Sequence, residues 1–110
     1  MTTRVEFNNF GRLRAELMRG GGPLVRKAAL DIQSNAQDFA PVDTGNLKGS
    51  IQAHESDSPL TYTVGTPVEY APHQEYGTAT QSGTAFMRPA VEKVRPRFIE
   101  AWAQFLGRLR

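Results

Sequence analysis

Apolar residues recur at intervals of three and four along the N-terminal part of the chain, which predicts amphipathic helices. In residues 1–22 we expect a first helix, which the run Gly20–Gly22 ends or loosens. Pro23 fits the first position of a second helix, which we expect over residues 23–40. Pro41 disfavours helical backbone in the residue before it, so the second helix is expected to end there.

The apolar pattern changes to an alternation in residues 46–71, which predicts antiparallel strands. A polar segment at residues 55–59 separates two alternating runs, so these runs are expected to form a hairpin. Val68 and Tyr70 are expected to begin a third strand. The apolar positions are Leu47, Gly49, Ile51 and Ala53 in the first run and Leu60, Tyr62 and Val64 in the second.

The rest of the chain combines a polar loop with a last helix. Residues 77–85, "GTATQSGTA", are small or polar and have no apolar periodicity, so we expect a mobile loop. Pro89 fits the start of a last helix over residues 89–109, which Pro96 is expected to kink or split. Together these elements predict a single α+β domain over residues 1–110, a small antiparallel β-sheet packed by an N-terminal helical region and a C-terminal helix.

Composition narrows the kind of protein. A chain of 110 residues with 39% hydrophobic content fits one small domain with a modest core. The chain has no cysteine, so disulfides and thiolate metal sites are excluded. It has neither the pattern of a secretory signal nor an apolar stretch of the ~20 residues needed to span a bilayer. We therefore expect a protein that is made in the cytoplasm and has no membrane partner.

Charge is distributed unevenly, although the net charge is only +2. Residues 1–40 carry six basic and four acidic side chains, residues 41–87 one basic and five acidic, and residues 88–110 six basic and two acidic. An acidic middle between basic ends would let the middle of one copy meet the ends of another. The alternative is that the terminal helices carry arginines on solvent-exposed faces that meet no partner.

The tripeptide Asp43-Thr44-Gly45 is the one in which aspartic proteases hold their catalytic carboxylate. In those enzymes the aspartate follows an apolar strand, whereas here a predicted helix that ends at Pro41 precedes it. Those enzymes also need an apolar-apolar-Gly segment late in the chain, and the match to it, Phe105-Leu106-Gly107, lies on a helical stripe. We therefore reject a protease and interpret the tripeptide as part of a helix-to-strand turn.

Each residue of this turn has a structural explanation. Pro41 is expected to stop the helix, Asp43 can accept backbone N–H bonds in an Asx-type turn, and Gly45 can supply a positive φ where the turn needs one. Leu47 then returns the chain to the core. The structural turn therefore comprises Pro41, Asp43, Thr44, Gly45 and Leu47.

The sequence contains no set of residues that suggests catalysis or a metal site. The two histidines, His54 and His73, are far apart in the chain, whereas a zinc site favours ligands about one helical turn apart. Gly20–Gly22 are not followed by the Lys-Ser/Thr pair of a phosphate-binding loop. Because no nucleophile–base pair is evident, we predict that the protein is not an enzyme and needs no cofactor.

Three segments, taken in their order and spacing, resemble one protein family. They are "APVDTGNLKGSI" at residues 40–51, "VEYAPHQEYGT" at residues 68–78 and "TAFMRPAVEKV" at residues 84–94. Together they resemble the small neck proteins of long-tailed bacteriophages, the gene-product-ten-like head–tail joining or tail-completion family. The resemblance covers about residues 24–100, and the expected helix interruptions at Gly20–Gly22 and Pro96 depart from it.

The resemblance implies a structural protein of the virion neck. Such proteins form a ring of about six copies between the connector of the capsid and the tail tube. The implied partners are other copies of the chain, connector or head-closure proteins, and tail-tube or terminator proteins, while genome DNA passes through without sequence-specific binding. We expect an exposed Glu75 to face Arg95 or Arg97 of a neighbouring copy. The alternative is that Glu75 and Arg88 are ordinary surface charges, or that they pair with each other within one chain. The expected oligomer or partner interface comprises Glu75, Tyr76, Gly77, Thr78, Phe86, Arg88, Arg95 and Arg97.

Two other functions remain open. The first is another position in the same particle, as a tail terminator or a minor capsid component. The second, from a different class, is a small basic nucleic-acid-binding domain, because several arginines lie near the C-terminus. Against this second function, the chain has no helix-turn-helix, zinc or aromatic–basic sheet signature. The arginines concerned are Arg95, Arg97, Arg108 and Arg110.

Overall fold

The computed structural model describes residues 2–5, 11–40, 45–77, 83 and 85–109. These residues form a small antiparallel sheet packed against a long N-terminal helix, with a second long helix at the C-terminal end. The predicted α+β class is therefore confirmed. The elements are β1 (Thr2–Val5), α1 (Gly11–Phe39), α2 (Gly45–Ser50), β2 (Gln52–Ser56), β3 (Ser58–Gly65), α3 (Ala71–Tyr76) and α4 (Met87–Arg108).

The sheet has the strand order β1-β3-β2, and both pairs of neighbours are antiparallel. The predicted hairpin is confirmed, with Ala53 opposite Val64 in its register. Its turn is shorter than predicted, because the strands extend to Ser56 and resume at Ser58. Only Asp57 lies between them, with a φ of 49°, and Asp is one of the few residues besides Gly that tolerate this left-handed region.

Helix α1 packs against both the sheet and α4, and the core lies between these three parts. Val25 and Ile32 on α1 are buried, as the predicted apolar stripe requires, and Leu60 and Val64 on β3 are fully buried. On α4, the buried side chain of Val94 belongs to the same core. Two side-chain amides of α1 fix its position over β2, since Gln33 accepts from the N–H of Ala53 at 2.7 Å and Gln37 donates to the carbonyl of Ile51 at 3.2 Å.

The predicted break at Gly20–Gly22 is wrong, because α1 continues through these glycines and through Pro23. The glycines allow α4 to approach closely. A Cβ at Gly20 would overlap the ring of Phe105, and one at Gly21 would lie 2.7 Å from the ring of Trp102. Glycine in a helix interior costs about 1 kcal/mol relative to alanine, and here the packing of two aromatic rings offsets that cost.

The predicted start of the first strand is also wrong, because residues 45–50 form the short helix α2 and β2 begins only at Gln52. Leu47 in α2 and Ile51 directly after it are four residues apart, and both are fully buried in the core. This spacing fits a helix as well as an alternation. The hydroxyl of Ser50 donates to the carbonyl of Leu47 at 2.7 Å. It also lies 2.5 Å from the hydroxyl of Thr66, and this hydrogen bond connects α2 to the residue that follows β3.

The third strand predicted at Val68 and Tyr70 is wrong, since these residues lead into the helix α3. Pro67 has no N–H to donate to a strand ladder, and Pro72 at the start of α3 favours a helical turn. The third strand of the sheet is instead β1 at the N-terminus, which the apolar pattern did not indicate. Most of the predicted mobile loop at residues 77–85 lies outside the described residues.

The last helix begins at Met87, two residues before the predicted start, and continues through Pro96 to Arg108. The predicted split of this helix at Pro96 is therefore wrong. Pro96 removes the N–H that would bond the carbonyl of Glu92, but both residues are exposed, so water can bond that carbonyl. Beyond the proline, Trp102 stacks on Phe98 with ring centroids 5.7 Å apart, and this contact supports the C-terminal half.

The two long helices give the molecule an elongated shape of 54 × 24 × 22 Å. Among the described residues, no helix combines the length and the apolar character that crossing a membrane requires.

Candidate functional site

The residues predicted to form the helix-to-strand turn are only partly described. Pro41, Asp43 and Thr44 lie outside the described residues, so the Asx-type turn remains a prediction. Gly45 is the first residue of α2 and has helical backbone, so the positive φ predicted for it is wrong. Leu47 is fully buried in the core, as predicted.

The side chain of Glu75 joins α3 to the start of α4. Its Oε1 accepts hydrogen bonds from the backbone N–H of Phe86 at 2.9 Å and of Met87 at 2.8 Å. Its Oε2 accepts from the N–H of Arg88 at 3.2 Å. The residue is only 5% exposed, so these bonds replace water as the partners of the carboxylate.

This arrangement satisfies every backbone donor that the first turn of α4 offers. The first four N–H groups of a helix have no partner within it, and here those positions are Phe86, Met87, Arg88 and Pro89. Pro89 has no N–H, and Glu75 bonds the other three. The negative carboxylate also lies at the positive end of the helix dipole. Glu75 is therefore a helix cap supplied from a different element.

Two members of the predicted interface are thus buried, which corrects the expectation that they contact another copy. Glu75 is not an exposed charge and cannot face Arg95 or Arg97 of a neighbour. Phe86 is fully buried and its side chain lies in the core. The charge pattern indicated a surface position for Glu75 because the pattern does not reveal that three N–H groups converge on it.

Tyr76 lies next to this cap and is the most exposed of the large hydrophobic side chains among the described residues, at 73%. Gly77 ends α3 with a φ of 86° and donates its N–H to the carbonyl of His73 at 2.7 Å. Gly83 lies close to the end of α3, since a Cβ on it would overlap the backbone of Tyr76 and Gly77. Thr78, also predicted for the interface, lies outside the described residues.

The three predicted arginines of α4 are all exposed, but they do not lie on one face. Arg88 and Arg95 are seven residues apart, which places them on the same flank of the helix and about 10 Å apart along its axis. Arg97 is nine residues from Arg88 and therefore lies on the opposite flank. Tyr76 follows Glu75 in the chain and Arg88 donates its N–H to Glu75, so both residues adjoin the cap, whereas Arg97 lies on the opposite flank of α4.

The positions of the arginines on α4 also matter for the alternative function of nucleic-acid binding. Arg97 and Arg108 are eleven residues apart and share a flank of α4, whereas Arg95 lies on the other side. Glu92 and Glu100 lie among these arginines and are also exposed. The described part of α4 therefore presents no continuous basic stripe of the kind that tracks a phosphate backbone.

Several exposed apolar side chains were not predicted from the sequence. Ile99 and Leu106 on α4 are 57% and 41% exposed, and Leu30 on α1 is 43% exposed. Leu30 lines a groove of about 550 Å³ between α1 and the β2–β3 hairpin. None of the three belongs to the apolar stripes that the sequence predicted for the core, and the packing shows how much of each side chain is exposed.

The described residues contain few side chains that are grouped as catalysis or metal binding would require. No group of three His, Asp or Glu side chains in this part of the chain is placed to hold a metal ion. His54 lines a shallow depression of about 300 Å³ on the sheet, together with Gln52 and Thr63. His73 is exposed on α3.

Comparison with known proteins identifies the family. Residues 8–77 match the HK97-gp10-like family, described as "Bacteriophage HK97-gp10, putative tail-component". No curated protein and no solved structure matches the chain significantly. The matched residues include α1, the hairpin and α3 with its Glu75 cap. The chain belongs to the HK97-gp10-like family of bacteriophage tail components.

Proposed function

We propose that this tail component acts in the virion neck, where it joins head to tail or completes the tail as one subunit of an oligomeric ring. The observation that carries the proposal is the exposed Tyr76 beside the Glu75 cap. An aromatic side chain that is 73% exposed on a well-supported helix is suited to anchor a protein–protein contact. The family membership supports a structural role.

The proposed contact surface comprises Tyr76, Arg88 and Arg95. Tyr76 follows Glu75 in the chain and Arg88 donates its N–H to Glu75, so both flank the cap. Arg95 continues the same flank of α4. On a neighbouring subunit this surface would meet acidic side chains such as Glu55 or Glu69, both of which are exposed.

A closed ring requires that two different patches of each subunit meet, one on each neighbour. The uneven charge of the chain supports such an arrangement, because α4 is basic and the hairpin and the following turn are acidic. The proposed partners outside the ring are the connector or head-closure proteins on one side and the tail-tube or terminator proteins on the other.

Complementation with purified protein tests this function. A phage in which the gene is inactivated should produce filled heads and tails of normal length that do not join. Adding the purified chain to a lysate of that mutant should restore infectious particles. Normal joining in the absence of the protein would contradict the proposal. If unjoined tails were also of abnormal length, the tail-terminator alternative would replace it.

A further inference from the structure

Two exposed apolar features of the molecule differ in shape. The first, which we name the α4 strip, is convex and comprises Glu92, Arg95, Ile99 and Leu106. Their spacing of three, four and seven residues places all of them on one flank of α4. Ile99 and Leu106 form its apolar end, and their exposures of 57% and 41% leave much of each side chain without contact.

The second feature is concave and is the groove of about 550 Å³ between α1 and the hairpin, named here the α1–hairpin groove. No residue of α4 is among those that line it. A ridge of apolar side chains and an apolar groove on different elements of the same chain are complementary in shape. The apolar side chains that line the groove are Met18, Pro23, Leu30, Pro59 and Tyr62.

The charges of the two surfaces also match. In the groove, Lys27 and Asp31 pair with each other at 2.9 Å, which leaves Arg26 and Glu55 without an ion-pair partner among the described residues. The α4 strip likewise carries one unpaired base, Arg95, and one unpaired acid, Glu92, within the described part of the chain. Arg95 can therefore meet Glu55 while Glu92 meets Arg26, in one relative orientation only.

We infer that the α4 strip of one copy docks into the α1–hairpin groove of a second copy. The contact is heterologous, because the strip and the groove are different surfaces, so each subunit can bind one neighbour through each. Such a contact leads to a ring when its rotation closes. The inference rests on the proposed function in one respect, namely that copies of this chain assemble with one another.

The first experiment uses one variant of each surface. Ile99→Asp places a charge on the strip and Leu30→Asp places one in the groove, and each should weaken self-association at least tenfold because the charge would be buried in the contact. Gln104→Asp is the matched control, since Gln104 is exposed and lies on roughly the opposite flank of α4. Circular dichroism and thermal unfolding should be unchanged in all three, because each position is exposed.

Mixing the two defective variants is the decisive step. The strip variant retains an intact groove and the groove variant retains an intact strip, so a 1:1 mixture should form a dimer that adds no further subunits. Sedimentation velocity would measure its mass. If both variants assemble like the wild type, or if the mixture stays monomeric, the proposed contact is wrong. A wild-type protein that stays monomeric at the highest concentration reached would also overturn it.

Charge reversal provides a second, independent measurement. Arg95→Glu should weaken association, and Glu55→Arg in the same chain should restore it, because the pair is reversed and not removed. Failure of the double variant to recover would contradict the pairing. The head–tail joining assay separates this inference from the proposed function. If the strip and groove variants join heads to tails normally, the neck function stands and the contact is wrong, whereas failure of the wild type to join them refutes the function itself.

Discussion

The carboxylate of Glu75 lies 2.8 Å from the backbone nitrogen of Met87 and accepts its hydrogen bond, although the two residues are twelve positions apart in the chain. This bond connects α3 to the first turn of α4 across the segment that contains residues 78–82. The position of Tyr76 on the surface depends on it, because α3 has only six residues and no side-chain cap of its own. The cap is thus a structural element of the proposed assembly surface.

Replacing Glu75 should therefore destabilise the fold. Glu75→Ala leaves three N–H groups without acceptors, two of them buried, and we expect the free energy of unfolding to fall by about 2–3 kcal/mol. Glu75→Gln retains one acceptor oxygen and should lose less. Urea denaturation measures both, with Glu69→Ala as the control because Glu69 is exposed in the turn before α3. A loss below about 0.5 kcal/mol in Glu75→Ala, within the range of ordinary surface changes, would show that the cap contributes nothing.

Replacing a glycine of the run Gly20–Gly22 in α1 by alanine should lower stability, although helix propensity alone predicts that it should raise it. Alanine stabilises a helix by about 1 kcal/mol relative to glycine, yet Gly21→Ala should lower stability by about 1–3 kcal/mol because its methyl group would collide with Trp102. Gly107→Ala in α4 is the matched control, since a Cβ there has no neighbour within 4 Å. It should be neutral or stabilising.

Fluorescence gives a second measurement of the same contact, because Trp102 is the single tryptophan of the chain. Displacement of its ring from α1 in Gly21→Ala should shift the emission to longer wavelength. Equal stability of the Gly21 and Gly107 variants, with unchanged emission, would mean that the glycines are not required for the approach of α4.

The glycines also show where the sequence is informative and where it is not. The hairpin was predictable because Leu60, Tyr62 and Val64 alternate with polar residues over the whole strand. The α4 stripe was predictable for a similar reason. By contrast, the local sequence does not show whether a glycine ends a helix or makes room for an aromatic ring of another helix. At Gly21 the answer depends on Trp102, about 80 residues away.

The candidate site was less predictable than the fold. Leu47 and Ile51 fit a strand and a helix equally well, so the pattern alone did not distinguish them. A glutamate is ordinarily expected at the surface because it is charged. The role of Glu75 as a helix cap depends on three backbone N–H groups that only the tertiary structure brings together. The helical flank shared by Arg88 and Arg95 follows from the sequence once the bounds of α4 are known, whereas the exposure of Tyr76 depends on the packing.

Charge reversal on α4 tests the proposed surface. Arg88→Glu and Arg95→Glu should each reduce head–tail joining, whereas Arg97→Glu on the opposite flank should leave it near the wild-type level. All three proteins should unfold at the wild-type temperature, because an exposed charge contributes little to stability. Equal effects of all three reversals would indicate a general electrostatic attraction and not this surface.

The turn at Asp43 remains a prediction from the sequence. We expect Asp43→Ala to lower the free energy of unfolding by roughly 0.5–2 kcal/mol, by analogy with the loss of a side-chain cap. Asp38→Ala, an exposed acidic position near the end of α1, is the control. If Asp43→Ala left stability unchanged but removed a peptidase activity from the purified protein, the rejected protease interpretation would have to be restored.

Counting the copies of the chain in purified virions tests the central claim most directly. Quantitative mass spectrometry of intact particles, calibrated with isotope-labelled peptides of this chain and of the portal protein, measures that number. The proposed ring predicts a fixed number of several copies per particle, about six by the family resemblance. Absence of the chain from infectious virions, or a single copy per particle, would contradict the claim that it is a ring-forming structural component.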